Sequence, residues 1–237
     1  MNVAWAAGGA VAGVPIGTAL RGVVFRLAVP SGDPDRTSCP RCAYLVHGWH
    51  VGRCGRCGNY LTIPVALELV TAAVLALLLG RFGGQASVAA FGLLGVLGVA
   101  LATIDIAVHR LPDRLTLPAF PVLITLLAVA AAIGHETGAL VRAVLGGMIL
   151  AAAYLVLALL RPGQLGGGDI KVAGLAGIAL AWLGWHPLVI GGSLGFVLFA
   201  VACLALLATR RVTLRSKICF GPFLLGGALL AIISSGR

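Results

Sequence analysis

The chain has 237 residues, of which 60% are hydrophobic and only 10% charged, with a mean hydropathy of +1.07. Such a composition excludes an ordinary soluble domain and points to a polytopic membrane protein. The balance of 17 Lys+Arg against 7 Asp+Glu would suggest nucleic acid in a soluble protein. Here no basic soluble domain or aromatic platform supports that partner, and multi-spanning proteins gather Lys and Arg in cytoplasmic loops.

The first apolar segment covers 3–27 and reads as a retained membrane anchor. No basic side chain precedes it and no convincing cleavage site follows. Its repeated glycines (Gly9, Gly13, Gly17, Gly22) suit close helix–helix contact in lipid. Arg21, near the end of this helix, is expected to snorkel toward the interface.

A polar stretch, 28–62, follows. It carries Cys39-Pro40-Arg41-Cys42 and Cys54-Gly55-Arg56-Cys57, two CxxC pairs that can place four thiolates tetrahedrally around a structural Zn²⁺. Disulfides are the alternative, but a basic loop argues for the reducing cytoplasmic side. His47 and His50 are substitute ligands that a closed four-cysteine site does not need. Cys203 and Cys219 lie in later apolar segments and are expected to be small buried hydrophobes.

Seven more apolar segments run over 63–80, 85–108, 115–134, 139–160, 170–185, 187–208 and 219–234. The expected fold is therefore all-α, with about eight membrane helices and a small cytoplasmic zinc-ribbon-like insert. Its domains are a first helix at 1–27, the insert at 28–62 and a membrane domain at 63–237. Alternation sends the loops bearing Arg36, Arg41, Arg53, Arg56, Arg110, Arg114, Arg161, Arg210, Arg211, Arg215 and Lys217 to one side, cytoplasmic by the positive-inside rule.

With so few acids, each can be followed. Asp33, Asp35 and Glu136 fall in loops. Glu68, Asp105, Asp113 and Asp169 lie within or beside apolar segments, where an acid marks a functional site by default. Asp105 closes the third segment, Asp113 opens the fourth, and Asp169 opens the sixth in Gly166-Gly167-Gly168-Asp169-Ile170-Lys171. The glycines offer close backbone approach and conformations closed to other residues. Two carboxylates sharing a water cannot both ionise easily, so one can act as base and the other as acid. A proton- or ion-coupled transporter using the same acids, an ion pair and a simple helix cap are the alternatives.

Several stretches resemble the prepilin peptidases, the type IV leader peptidase family of GxGD-type membrane aspartyl proteases. Gly166-Gly167-Gly168-Asp169-Ile170-Lys171 is similar to their GxGD motif. The segment from Ile104-Asp105 through Leu111-Pro112-Asp113-Arg114-Leu115-Thr116-Leu117-Pro118 is similar to their other aspartate motif. Three further stretches also resemble the family: 13–27, Glu68-Leu69-Val70-Thr71-Ala72 and Phe220-Gly221-Pro222-Phe223-Leu224. The resemblance implies Asp105 and Asp169 as catalytic acids, with Asp113 as the alternative first acid. Gly166, Gly168, Lys171, Asp113 and Glu68 are implied as supporting residues, and Cys39, Cys42, Cys54 and Cys57 as metal ligands.

The implied activity is an endopeptidase of the prokaryotic inner membrane that cuts the short basic leader from a prepilin or pseudopilin. Many full-length members also N-methylate the new N-terminus with S-adenosylmethionine. The connector 43–53 between the cysteine pairs is shorter than in such members, and methylation stays open. The lipid bilayer is the implied surrounding, nucleic acid is not a partner, and a homodimer is left open.

Overall fold

The computed structural model describes residues 2–30, 32–46, 52–62, 65–160, 165–210 and 218–235. His47, His50, Arg161, Arg211, Arg215 and Lys217 lie outside them. The described residues form eight helices, α1 (Val3–Leu27), α2 (Ala66–Phe82), α3 (Val88–Val108), α4 (Asp113–Gly134), α5 (Thr137–Leu160), α6 (Gly167–Leu183), α7 (Trp185–Ala208) and α8 (Gly221–Ser234). Among these residues strand pairing is confined to isolated bridges in the insert, Ser38 with Leu45 and Arg53 with Tyr60. The chain divides into two compact units, Met1–Pro112 and Asp113–Arg237.

The first unit contains α1, α2, α3 and the insert. Glycines spaced four apart put one smooth stripe of α1 against the backbone of α2. A Cβ on Gly9 would lie 2.5 Å from Leu75 O, one on Gly17 would lie 2.6 Å from Glu68 Cα, and one on Gly13 would collide with Ala72 Cα. Phe82 and Phe91 stack at 4.0 Å where α2 meets α3, and the turn between these helices passes through Gly84 at φ +86°.

The second unit is built around α6, whose residues 172–183 are all buried. Glycines again set the contact: a Cβ on Gly177 would lie 2.8 Å from Gly146 O and 3.0 Å from Gly147 Cα, joining α6 to α5. The α7–α8 pair meets in the same way, with a Cβ on Gly227 falling 2.9 Å from Gly195 Cα. Arg142 donates from Nε to Ala181 O (2.6 Å) and from Nη2 to Trp182 O (2.7 Å). It thereby satisfies carbonyls at the end of α6 that water cannot reach.

The distribution of side chains fits a bilayer rather than water. On α5 the buried residues include Ala139, Ala143, Gly146 and Gly147, while Leu145, Met148, Ile149, Val156 and Leu159 face outward. Small residues inside and large apolar ones outside are what lipid-embedded packing selects. Five described helices (α1, α3, α4, α5 and α7) are individually long and apolar enough to cross a membrane. At 17 residues α2 and α6 span roughly 25 Å, and α8 at 14 residues about 21 Å, against a core of about 30 Å. For α6 the shortfall has a reason, since α4, α5, α7 and α8 surround it.

Cys203 and Cys219 depart from expectation, because both are half-buried rather than fully packed. Gly13→Leu is expected to destabilise the chain by about 1–3 kcal/mol through overpacking against the α2 backbone. Gly8→Leu, where a Cβ meets nothing within 4 Å, is expected to be close to neutral. Thermal unfolding of both variants in detergent checks the contrast.

Candidate active site

In the second unit the site begins at the start of α6. Gly166 is the N-cap, and Asp169 occupies the first turn with only 8% exposure. The Gly166 N–H donates to Asp169 Oδ2 at 3.0 Å, and the Asp169 N–H donates back to Gly166 O at 3.0 Å. A carboxylate in this position satisfies a free backbone donor and faces the positive end of the helix.

The glycines act through space rather than unusual backbone. Gly166 has φ −81° and ψ 152°, which any residue can adopt, so the expected glycine-only conformation is absent there. A Cβ on Gly167 would meet nothing within 4 Å, leaving the flank of Asp169's turn open.

Lys171, two residues beyond Asp169, pairs through Nζ with Asp113 Oδ1 at 2.5 Å. Asp113 is the first residue of α4, so the bond ties the N-terminus of α4 to the first turns of α6. The Asp113 side chain is 59% exposed, unlike the buried Asp169.

Tyr154 of α5 is a neighbour that the sequence reading missed. It is 1% exposed, donates its hydroxyl to Gly192 O at 3.1 Å, and lies within reach of the Asp169 charge. Its ring packs 5.1 Å from Phe196 and 5.9 Å from Phe220. The signal was available: of the chain's 3 tyrosines, Tyr154 alone lies in an apolar segment.

In the first unit Asp105 lies in the last turn of α3 and is 5% exposed. Its carbonyl accepts the His109 N–H at 2.8 Å, and His109 closes the helix in a left-handed conformation at φ 51°. The Leu-Pro turn that follows therefore starts from a fixed helix end.

Glu68, in the first turn of α2, is 7% exposed and ion-paired with Arg21 of α1. The Thr18 hydroxyl lies 3.4 Å from its Oε1. Arg21, expected to snorkel toward the interface, lies beside both this carboxylate and Gly52 of the polar insert. Close α1–α2 packing on Gly17 brings Glu68 to it.

The insert brings its cysteines together as expected, with all four Sγ atoms within 4.8 Å of one another. Cys39 and Cys57 are 3.7 Å apart, Cys42 and Cys54 3.5 Å apart, and all are free thiols. The two loops repeat one design. Cys39 O accepts the Ala43 N–H and Cys54 O the Gly58 N–H, both at 2.9 Å. Ala43 and Gly58 both have positive φ, 54° and 67°.

Backbone N–H groups of Arg41 and then Cys42 draw the Cys39 thiol down against the opposing effect of burial. Those of Cys57 and Arg56 draw Cys54 to about 6. The Tyr44 N–H pulls on Cys42, but burial and the neighbouring thiols outweigh it and push that group up to about 12. Four sulfurs gathered this closely, with backbone N–H donors converging on Cys39 and Cys54, fit a tetrahedral metal site, and the donor set is compatible with zinc.

Comparison with known proteins adds a second line. Residues 92–209 match the type IV leader peptidase family. The prepilin leader peptidase/N-methyltransferase of Burkholderia pseudomallei (strain K96243) is 32% identical over 221 residues, covering 86% of this chain and 67% of that protein. The chain belongs to the type IV leader peptidase family. The proteins of the same name from Aeromonas salmonicida (32% over 226 residues, 88% and 73% covered) and Bacillus subtilis strain 168 (27% over 209 residues, 84% and 81% covered) are further relatives. No solved structure gives a significant match. The type IV leader peptidase segment contains Asp105, Asp113, Tyr154, Asp169 and Lys171, whereas Arg21, Glu68 and the four clustered cysteines precede it.

Purified protein is expected to carry about one zinc per chain, as four thiolates close one tetrahedral site. Cys54→Ser is expected to remove most of it. Elemental analysis of the two proteins checks this.

Proposed function

We propose that this type IV leader peptidase is an aspartyl endopeptidase that removes the leader of a prepilin or pseudopilin at the cytoplasmic side of the inner membrane. The observation that carries the reading is that two acids, Asp105 of the first unit and Asp169 of the second, are each buried at a helix end inside the segment that matches the family. Each sits at a helix end rather than mid-span, as suits a reaction at a membrane surface more than a carrier site at the midplane. The arginine-rich loops on the side of these helix ends support the cytoplasmic orientation.

Aspartyl peptidase chemistry needs one carboxylate as base and one as acid acting on a single water. The α6 N-terminus and the Gly166 N–H favour negative charge on Asp169, so Asp169 takes the proton from water. Asp105, at the unfavourable C-terminal end of α3, carries the proton that it donates to the scissile carbonyl oxygen. The hydroxyl then adds to the carbonyl carbon. Collapse returns a hydroxyl proton to Asp105 and breaks the C–N bond, and the leaving nitrogen takes the proton held by Asp169 as the new amine forms.

Asp113 suits a positioning role better than that of the first acid. Exposed and bound to Lys171, it stabilises the α6 entry while lacking the water-excluded environment that a dyad needs. Lys171 holds Asp113, and the open flank at Gly167 gives an extended backbone room beside Asp169. The four cysteines would hold a structural zinc, which takes no part in the hydrolysis. The relatives' names also carry an N-methyltransferase activity, and with the connector 43–53 short in this chain, methylation of the new amine with S-adenosylmethionine is left to the prepilin assay.

Asp105→Asn and Asp169→Asn are each expected to lower prepilin cleavage by at least about 100-fold without loss of membrane insertion. Asp113→Asn and Lys171→Met are expected to slow it less. Mass analysis of a prepilin incubated with each purified variant checks the order. Cleavage retained by either Asn variant of the dyad would overturn the reading. The same assay with S-adenosylmethionine reports methylation as added methyl mass on the mature product.

A further inference from the structure

Arg21 stands where three parts of the first unit meet. Its guanidinium is ion-paired with Glu68 across the α1–α2 contact. A Cβ on Gly52 would lie 3.0 Å from Arg21 Nη1, so the second cysteine loop of the insert rests on the same guanidinium. Gly52 comes two residues before Cys54, and its carbonyl accepts the Leu61 N–H at 3.2 Å. Its place is therefore set by the loop that presents Cys54 and Cys57. On the membrane side Glu68 is equally fixed, since a Cβ on Gly17 would fall 2.6 Å from Glu68 Cα.

A charged pair is not what packing alone would select here, because apolar residues of similar volume usually serve a buried contact as well. The pair also has an open end. Among the described residues Glu68 Oε2 is buried without a hydrogen-bond partner, and the Thr18 hydroxyl lies 3.4 Å from Oε1. The carboxylate therefore depends on where Arg21 is held, and any shift of the guanidinium leaves buried charge less compensated.

The insert's first segment is tied to α1 by other bonds. Arg36 donates from its backbone N–H to Arg26 O at 2.9 Å and from Nη2 to Ala28 O at 3.2 Å. The second loop reaches the helices at Arg21.

We propose that Arg21 is a positioning residue that couples metal occupancy of the Cys39, Cys42, Cys54 and Cys57 cluster to the packing of α1 on α2. With the four thiolates held together, the second loop is fixed and Gly52 keeps the guanidinium on Glu68. When they are released the loop relaxes, the guanidinium loses its support, and the end of the helix pair nearest the insert opens.

The test is backbone amide exchange, read by mass spectrometry on the full-length protein in detergent, with zinc and after chelation. Peptides covering 16–21 and 66–72 report the helix pair, and peptides from the insert report the loop. In the wild type, chelation is expected to raise exchange several-fold in both. Arg21→Lys keeps an ammonium for Glu68 but lacks the planar fork that also reaches Gly52. It is expected to protect the helix peptides with zinc bound and to confine the effect of chelation to the insert.

Gly52→Val presses on the guanidinium from the other side, and is expected to raise helix exchange with zinc still bound. Four results would each overturn the coupling: a wild type whose helix peptides ignore chelation, an Arg21→Lys protein that responds as fully as wild type, a Gly52→Val protein with unchanged helix exchange, or a chain that takes up no zinc. Leader cleavage is not read in this experiment, so its outcome is separate from that of the proposed peptidase reaction.

Discussion

Backbone contact at glycine holds each unit together. Lipid is as apolar as leucine, so burying a large side chain between two membrane helices gains little, and close dispersion contact must supply the attraction. Gly9, Gly13 and Gly17 supply it between α1 and α2, Gly146, Gly147 and Gly177 between α5 and α6, and Gly195 and Gly227 between α7 and α8. The consequence reaches the polar residues. Once α1 lies against the α2 backbone at Gly17, Arg21 and Glu68 are brought into contact.

The polar groups occupy places where backbone geometry makes a charge tolerable. Asp169 caps its own helix, Arg142 satisfies the opposite end of the same helix, and Lys171 neutralises Asp113. The first two use the free N–H and C=O groups that every helix leaves at its ends, which in a bilayer must be satisfied by protein. α6 is the clearest case. Its sides are buried throughout, so polar chemistry is confined to its two ends, and an open flank exists at its glycine-rich start.

Much of this was legible in the sequence because membrane helices announce themselves by length and hydropathy. Each apolar segment marked from sequence is a helix, with ends displaced by only a few residues. The insert was equally plain, since two CxxC pairs constrain four sulfurs whatever lies between them. The pairing of Arg21 with Glu68 was not legible. It depends on which face of α1 meets α2, and sequence alone did not show that the glycine stripe would turn Arg21 toward Glu68. Tyr154 was hidden for a related reason, because its polarity is at the tip of a large ring that otherwise reads as one more apolar residue. The glycines before Asp169 were read as offering both close backbone approach and special conformations; Gly166 adopts an ordinary extended backbone, and Gly167 contributes open space.

A chain with only 7 acids makes each placement informative about its neighbours. Asp33 and Asp35 belong to the polar insert and Glu136 to the turn between α4 and α5. The other four lie in the first or last turn of a helix, and their surroundings differ in kind. Asp113 is exposed and neutralised by a lysine; Glu68 is buried and ion-paired with an arginine; Asp169 is buried and bonded to its N-cap N–H; Asp105 is buried at the helix end that disfavours an anion. A uniform structural role would not require four such different environments. The contrast between an acid at a positive helix end and one at a negative helix end is the kind of asymmetry that lets chemically identical carboxylates take the roles of base and acid.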